Sequence, residues 1–269
     1  MGILQRIEYK DVEGIRVGRF ASRINTTCIL YRIDGTVIDT GPPNQWRWVR
    51  QFLHEKDVRQ VFITHHHEDH SGNGANIHRE WAAAAIQAHP DALPLLQQGY
   101  HLHLYRQIIW GRPDHYTIEP VTGGLSIRND LRAELVHAPG HSTDMTCVYL
   151  PERGWLFTGD LYIASRPKFL RRDENPRQEI ESLRTVLKLD FQTVFCAHRG
   201  VVQNGRQALQ DKLEFLLDLQ QNVHELARQG LSPKEVTQRL LGREELLSWM
   251  TFFHFSKRNL IQTFWPDHA

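Results

Sequence analysis

The stretch VFITHHHEDHSGNG, residues 61–74, constrains this chain more than any other. An apolar, β-favouring run ends in six consecutive titratable residues, four histidines and two acids, before the small residues begin. A chain that only had to turn would use Gly, Asn or Asp there. Donors crowded at a strand end are what a bound metal ion requires. Alternate residues of an extended backbone share a face, so His65 and His67 point the same way. Asp69 and His70 lie further on, at the turn into the next helix, in reach of a second ion.

The rest of the chain reads as an α/β succession. Two β-rich runs flank Asp34-Gly35, a hairpin signal, and a further turn is expected at Glu13-Gly14. Helical spacing of Trp46, Val49 and Leu53 follows the breaker Gly41-Pro42-Pro43. A helix is expected to start within 72–81, and others to run over 92–98 up to Gly99 and over 178–189; strands are expected within 84–91, 125–141, 145–160 and 192–200. Residues 100–120 are aromatic-rich, fit no simple period, and read as an insertion or lid. VIDTG at 37–41 and LFTGD at 156–160 hint at two similar halves. From about residue 206 the pattern becomes helical, with a capping box at Ser232 and Glu235. The division expected is a catalytic domain over 1–205 and a small helical extension over 206–269, whose Leu-rich faces serve as core or as contact in a homodimer.

Candidate ligands recur at the ends of the later strands: His141 in APGHS, Asp160 in TGD and His198 in AHRG. Imidazoles with a few carboxylates suit zinc, iron or manganese better than calcium. THHHEDH, PGHS, TGD and AHRG, with VIDTG upstream, together resemble the metallo-β-lactamase fold superfamily over residues 25 to 200. The resemblance implies a four-layer αββα sandwich with two divalent ions, zinc first and iron or manganese as alternatives, at one edge of its sheets. It further implies that His65, His67 and His141 hold one ion and that Asp69, His70 and His198 hold the other. Asp160 would bridge them, and Asp39 would support a ligand from beneath. AHRG departs from the commoner Gly-His-Gly context at His198.

Two cations ~3.5–4 Å apart make hydroxide available near neutral pH, bridging them and poised to attack an ester, thioester, amide or phosphodiester. By analogy with the family, Asp69 would take or relay the proton. Within the superfamily, THHHEDHSGN is most similar to the glyoxalase II and lactonase-like branch, so the expected activity is hydrolysis of a small-molecule thioester, ester or lactone. The alternative is a phosphodiesterase cutting single-stranded RNA, on the strength of the helical extension and the basic run at Arg166, Lys168, Arg171 and Arg172. That run reads either as a solvated loop or as a clamp for an anionic substrate. A net charge of +1 in 269 residues argues against broad phosphate tracking, so nucleic acid is not the expected partner. His67 stands where iron-oxygen reductases of the superfamily carry an acid, and the full ligand set argues against a degenerate sensor.

The remaining features are quieter. His101, His103, His115 and His137 read as ordinary polar side chains, His66 as packing or support, and Cys196 as a buried strand cysteine. Three scattered cysteines suggest neither a disulfide framework nor a thiolate zinc site. The Met1-Gly2 opening has Arg6 where a myristoylation signal wants Ser or Thr, and no secretion signal is visible. No apolar run approaches ~20 residues. The expected location is the cytoplasm, which argues against an exported drug-degrading lactamase.

Overall fold

The computed structural model describes residues 4–20, 24–128 and 130–266. The Met1-Gly2 opening lies outside them. Seven strands form the first sheet, in chain order across it: β1 (Gln5–Tyr9), β2 (Val12–Val17), β3 (Cys28–Ile33), β4 (Thr36–Ile38), β5 (Gln60–Ile63), β6 (Ala85–Ala88) and β7 (Glu119–Pro120). Neighbours are antiparallel through β4 and parallel from β4 to β7. The parallel strands need crossovers. α1 (Trp46–Leu53) joins β4 to β5, α2 (Glu68–Ser71) and α3 (Gly74–Glu80) join β5 to β6, and α4 (Ala92–Gln98) and α5 (Leu104–Trp110) lie between β6 and β7.

The second sheet has six strands in the order β14 (Gly200–Val202), β13 (Thr193–Cys196), β11 (Trp155–Gly159), β10 (Thr146–Leu150), β9 (Leu131–His137) and β8 (Gly124–Arg128). β11 and β13 are parallel, joined through α6 (Pro176–Val186), and the other pairs are antiparallel. β12 (Leu170–Arg171) leaves this sheet and pairs with β15 (Phe255–Ser256) from the carboxy-terminal region. That region otherwise comprises α7 (Gly205–Arg228), α8 (Pro233–Leu240), α9 (Leu246–Met250) and α10 (Lys257–Thr263).

Period-two alternation explains the layering. In β3, Ile29, Tyr31 and Ile33 face the other sheet while Leu30 faces the helices, so the strand is buried on both sides. In the second sheet Val148, Leu150, Trp155 and Phe157 point inward, and Cys147, Tyr149 and Leu156 point outward. Three apolar interfaces result. One lies between the sheets; one joins the first sheet to α1, α3 and α4; one joins the second sheet to α6, α7, α8 and α10. The architecture is the expected αββα sandwich. The carboxy-terminal helices share the core of the second sheet, with Leu209, Leu216, Val223, Val236, Leu260 and Phe264 all buried there.

Most expected elements form where the pattern places them, including the Asp34-Gly35 hairpin and the Ser232–Glu235 capping box. The turn expected at Glu13-Gly14 is a correction. The chain reverses at Lys10-Asp11, with Lys10 at φ 55, and Gly14 lies within β2 opposite Ile7. An added Cβ at Gly14 would come within 2.9 Å of the Leu30 carbonyl, so close packing, not turning, explains that glycine. Among the described residues no helix is long and apolar enough to cross a membrane.

The long helix α7 is tied to the second sheet by a buried charge pair. Lys212 Nζ donates to Glu179 Oε1 on α6 at 2.6 Å and to the Leu161 carbonyl at 2.7 Å. A buried charge stripped of its partner is far costlier than a missing pair. Lys212→Met is therefore expected to lower unfolding stability in urea by about 3 kcal/mol. The double change with Glu179→Met should recover at least half of that loss.

Candidate metal centre

The ends of the parallel strands bring the polar residues together. Asp39 follows β4 at φ 64, an uncommon conformation that Asp tolerates better than most residues. Its amide donates to the Phe62 carbonyl at 2.9 Å, which seats it beside the end of β5. Asp39 Oδ1 accepts from the Thr64 amide at 2.8 Å and from the Thr64 hydroxyl at 2.9 Å. Asp39 Oδ2 lies 2.8 Å from His70 Nδ1. This bond leaves His70 Nε2 facing the pocket as a lone-pair donor. Thr64 Oγ1 lies 3.1 Å from His65 Nδ1 and orients that ring in the same manner.

The second sheet supplies the opposite wall. Gly159 ends β11 at φ 47, and a Cβ there would meet Met145 Cε at 2.5 Å and Thr64 Oγ1 at 2.8 Å. Only glycine lets β11 approach Thr64 this closely, and the approach delivers Asp160 to the centre. His198 follows β13, with Nδ1 held 2.7 Å from the Thr27 carbonyl, so Nε2 faces inward. His141 sits in the loop after β9.

The seven residues divide into two groups around Asp160. Donor atoms of His65, His67 and His141 lie within 4.8 Å of one another, with His67 Nδ1 and His141 Nε2 3.1 Å apart. Asp160 Oδ2 is 3.1 Å from His141 Nε2. Asp160 Oδ1 faces the other group, 3.3 Å from His70 Nε2 and 3.1 Å from His198 Nε2. Asp69 Oδ2 completes it, 3.5 Å from His198 Nε2 and 3.7 Å from His70 Nε2.

Unspent donors show that this set fits metal ions. His65 Nε2, His70 Nε2 and Asp160 Oδ1 are buried without a hydrogen-bond partner, which proteins rarely tolerate unless something else is held there. The lone pairs of His67 Nδ1 and His141 Nε2 converge on a positive charge, the guanidinium of Arg171, whose Nη2 lies 3.2 Å and 2.7 Å away. Burial pushes His65 and His67 well below the ordinary histidine value and His141 down to about 4, leaving neutral imidazoles suited to ligation. Burial is the largest single influence on His70 and His198 and acts against their charge, but Asp160 and Asp69, joined at His70 by Asp39, together outweigh it and raise both. The carboxylates of this half draw positive charge inward.

Of the four basic residues marked in the 166–172 run, only Arg171 enters the centre. Its Nε lies 2.8 Å from Glu174 Oε1, and the Glu174 carboxylate is 3.4 Å from His141 Nδ1. Arg166, Lys168 and Arg172 are exposed; Arg166 lines a groove of about 730 Å³ with Arg199 and Asp211. His66 bonds Asp144 through its amide at 2.6 Å and through Nδ1 at 2.8 Å, which ties the ligand turn to the loop carrying His141. Cys196 is buried, its Sγ accepting from the amides of His198 and Arg199.

Several contributors carry no readable signal in the sequence. Cys28, at the start of β3, places its sulfur within 4.8 Å of Asp69 and His70 donors. His254, beside β15, lies 2.9 Å from the Tyr105 hydroxyl and 3.5 Å from Asp173, and its ring packs against His103 at 3.8 Å. His254 reaches the centre's rim only because β15 pairs with β12. A further donor group, His89, Asp91 and His137, lies apart from the centre. Its two rings are stacked at an interplanar angle of 9°, so their in-plane lone pairs run parallel and do not converge.

A family model described as the metallo-beta-lactamase superfamily matches residues 23–198. A hydroxyacylglutathione hydrolase from Legionella pneumophila is 27% identical over 173 residues, covering 62% of this chain and 59% of that protein. An atrochrysone carboxyl ACP thioesterase from Aspergillus fumigatus is 25% identical over 182 residues, covering 66% of this chain and 51% of that protein. The chain thus spans a little over half the length of these relatives. Among solved structures, a beta-lactamase domain protein from Burkholderia ambifaria superposes with a TM-score of 0.71 at 15% identity, covering 97% of this chain and 87% of that one. A metallo-beta-lactamase family protein from Thermus thermophilus gives 0.61 at 20% identity, covering 88% and 86%.

The junction at His254 makes a pH dependence testable. Burial holds the imidazole down to about 4, against an ordinary value near 6.5. Between these values the unfolded chain binds the proton and the folded chain does not, so the junction's stability is full above 6.5 and falls as the pH drops toward 4. His254→Gln is expected to cost about 1 kcal/mol at pH 7 through the lost Tyr105 bond. Its Tm should then fall less steeply than that of the parent from pH 6.5 to 4.5, as followed by circular dichroism.

Proposed function

The chain belongs to the metallo-beta-lactamase superfamily, and on that premise we propose that it is a metal-dependent hydrolase cleaving a small-molecule thioester, ester or lactone. The carrying observation is the convergence of seven buried donors, three of their atoms unpartnered, from the ends of both sheets onto one pocket. Relatives named for hydrolysis of a hydroxyacylglutathione and as an ACP thioesterase support placing thioesters first.

In this proposal His65, His67 and His141 hold one ion, Asp69, His70 and His198 the other, and Asp160 lies between them; zinc suits this mixture of imidazole and carboxylate. Bound there, the ions would acidify a water molecule and polarise the carbonyl under attack. The chain's own groups do the rest. Asp39 holds His70 from beneath, and Thr64 does the same for His65. Asp69, beside His70 and His198, would take or relay the proton, by analogy with the family. Arg171, whose guanidinium reaches His67 and His141, supplies a cation matched to a carboxylate or phosphate on the substrate. Tyr105 and His254, joined by a hydrogen bond, would form one wall of the site.

A nuclease would draw on the exposed Arg166, Lys168 and Arg172, so RNA belongs in the same assay. The test is elemental analysis of the purified protein, followed by a panel of acyl thioesters, lactones and a fluorescent single-stranded RNA. About two equivalents of metal and thioester or lactone turnover are expected. Salt-sensitive RNA cleavage lost on Arg166→Ala and Arg172→Ala, without thioester turnover, would overturn the proposal. Asp39→Asn is expected to lower metal affinity by about 10–100-fold, and Asp160→Asn or His141→Ala by more, as measured by competition with a chelating dye.

A further inference from the structure

The ligand turn reads His-His-His-Glu-Asp-His, and Glu68 has no place in the ligand set. Its side chain is fully buried, between His67 and Asp69 on α2. Arg106 of α5 grips it with both arms of the guanidinium fork, Nε to Oε1 at 2.7 Å and Nη2 to Oε2 at 2.6 Å, and is itself only 4% exposed. The Tyr100 hydroxyl donates to the His66 carbonyl at 3.1 Å and lies 3.5 Å from Glu68 Oε2.

From this pair α5 reaches both sides of the centre. Toward its start, the Tyr105 hydroxyl bonds His254, which neighbours Asp173 beside Arg171. At its end, buried Trp110 packs with Cys28 and Ala197, its ring 6.4 Å from that of His198. Asn44 Nδ2 and Arg19 Nη1 secure the helix by donating to the carbonyls of Ile109 and Ile108 at 2.8 Å each.

We propose that Arg106 is a positioning residue: through Glu68 it fixes the α2 turn that carries Asp69 and His70, and it makes the α5 part of the 100–120 insertion a permanent wall of the pocket. A buried ion pair contributes little net stability over an apolar pair of similar size, yet holds orientation when both forks are engaged. Arg106 bonds the ligand turn through Glu68 and Tyr105 bonds His254, so a mobile lid would have to break the bidentate pair inside the protein. Access to the centre therefore does not require α5 to lift. The ligand part of this inference rests on the metal-centre proposal above; the wall part does not.

The experiment uses the full chain with Arg106→Met, Arg106→Lys and Glu68→Gln. Zinc affinity is read by competition with a chelating dye, and hydrogen exchange of the 104–110 amides is read on metal-free protein. Positioning predicts that all three variants weaken zinc binding by about tenfold or more and speed exchange across α5. Arg106→Lys counts most, because it keeps the charge and loses only the fork. A purely electrostatic role predicts opposite signs, with Arg106→Met tightening zinc, Glu68→Gln weakening it and Arg106→Lys neutral; that pattern overturns the proposal. Unchanged exchange across 104–110 overturns it as well. Absence of zinc binding in the parent protein would sink the hydrolase proposal and leave the exchange measurement to decide the wall.

Discussion

Three carboxylates, Asp39, Asp69 and Asp160, are each at most 5% exposed and crowd into one pocket between two sheets. Negative charge so concentrated away from water is costly unless positive charge comes in with it. Much of the surrounding architecture answers that demand. Parallel strands aim their carboxyl ends at a common edge, Gly159 lets one wall close on the other, and backbone carbonyls hold His198 with its inner nitrogen exposed to the pocket. The same charge explains why Arg171, from outside both sheets, points its guanidinium into the group of imidazoles.

The layers differ in how they meet this edge. The interface between the sheets is almost wholly apolar, built on Ile29, Tyr31, Phe62, Phe157 and Phe195, and serves as the rigid base. Above the pocket the contacts are polar and come from three distant parts of the chain: α5, the 170–174 segment and β15. A rigid apolar base with polar walls lets the walls change while the base persists.

The strands and the strand-end donors are legible in the sequence because both rest on local rules, whereas the sandwich itself follows from the resemblance of those motifs to a family. Alternating apolar residues mark strands, and donors cluster where those strands stop, as at His65–His70 and Asp160. What escaped those rules depends on contacts between residues far apart in sequence. Nothing near Arg106 announces Glu68 as its partner, and Cys28 looks like any apolar strand residue until β3 is laid beside α2. His254 was invisible for a further reason: a two-residue strand such as β15 has no period to detect. A glycine needed for strand packing imitates a glycine needed for turning, so Gly14 draws the expected turn away from Lys10-Asp11.

The pairing of β12 with β15 has an implication for biogenesis. Arg171 and Phe255 are register partners although more than eighty positions separate them along the chain. As the polypeptide leaves the ribosome, both sheets and all seven donors emerge well before the strand that clasps the Arg171 segment. The rim of the pocket, and with α10 the last part of the second sheet's core, is therefore completed only when residues beyond 254 dock.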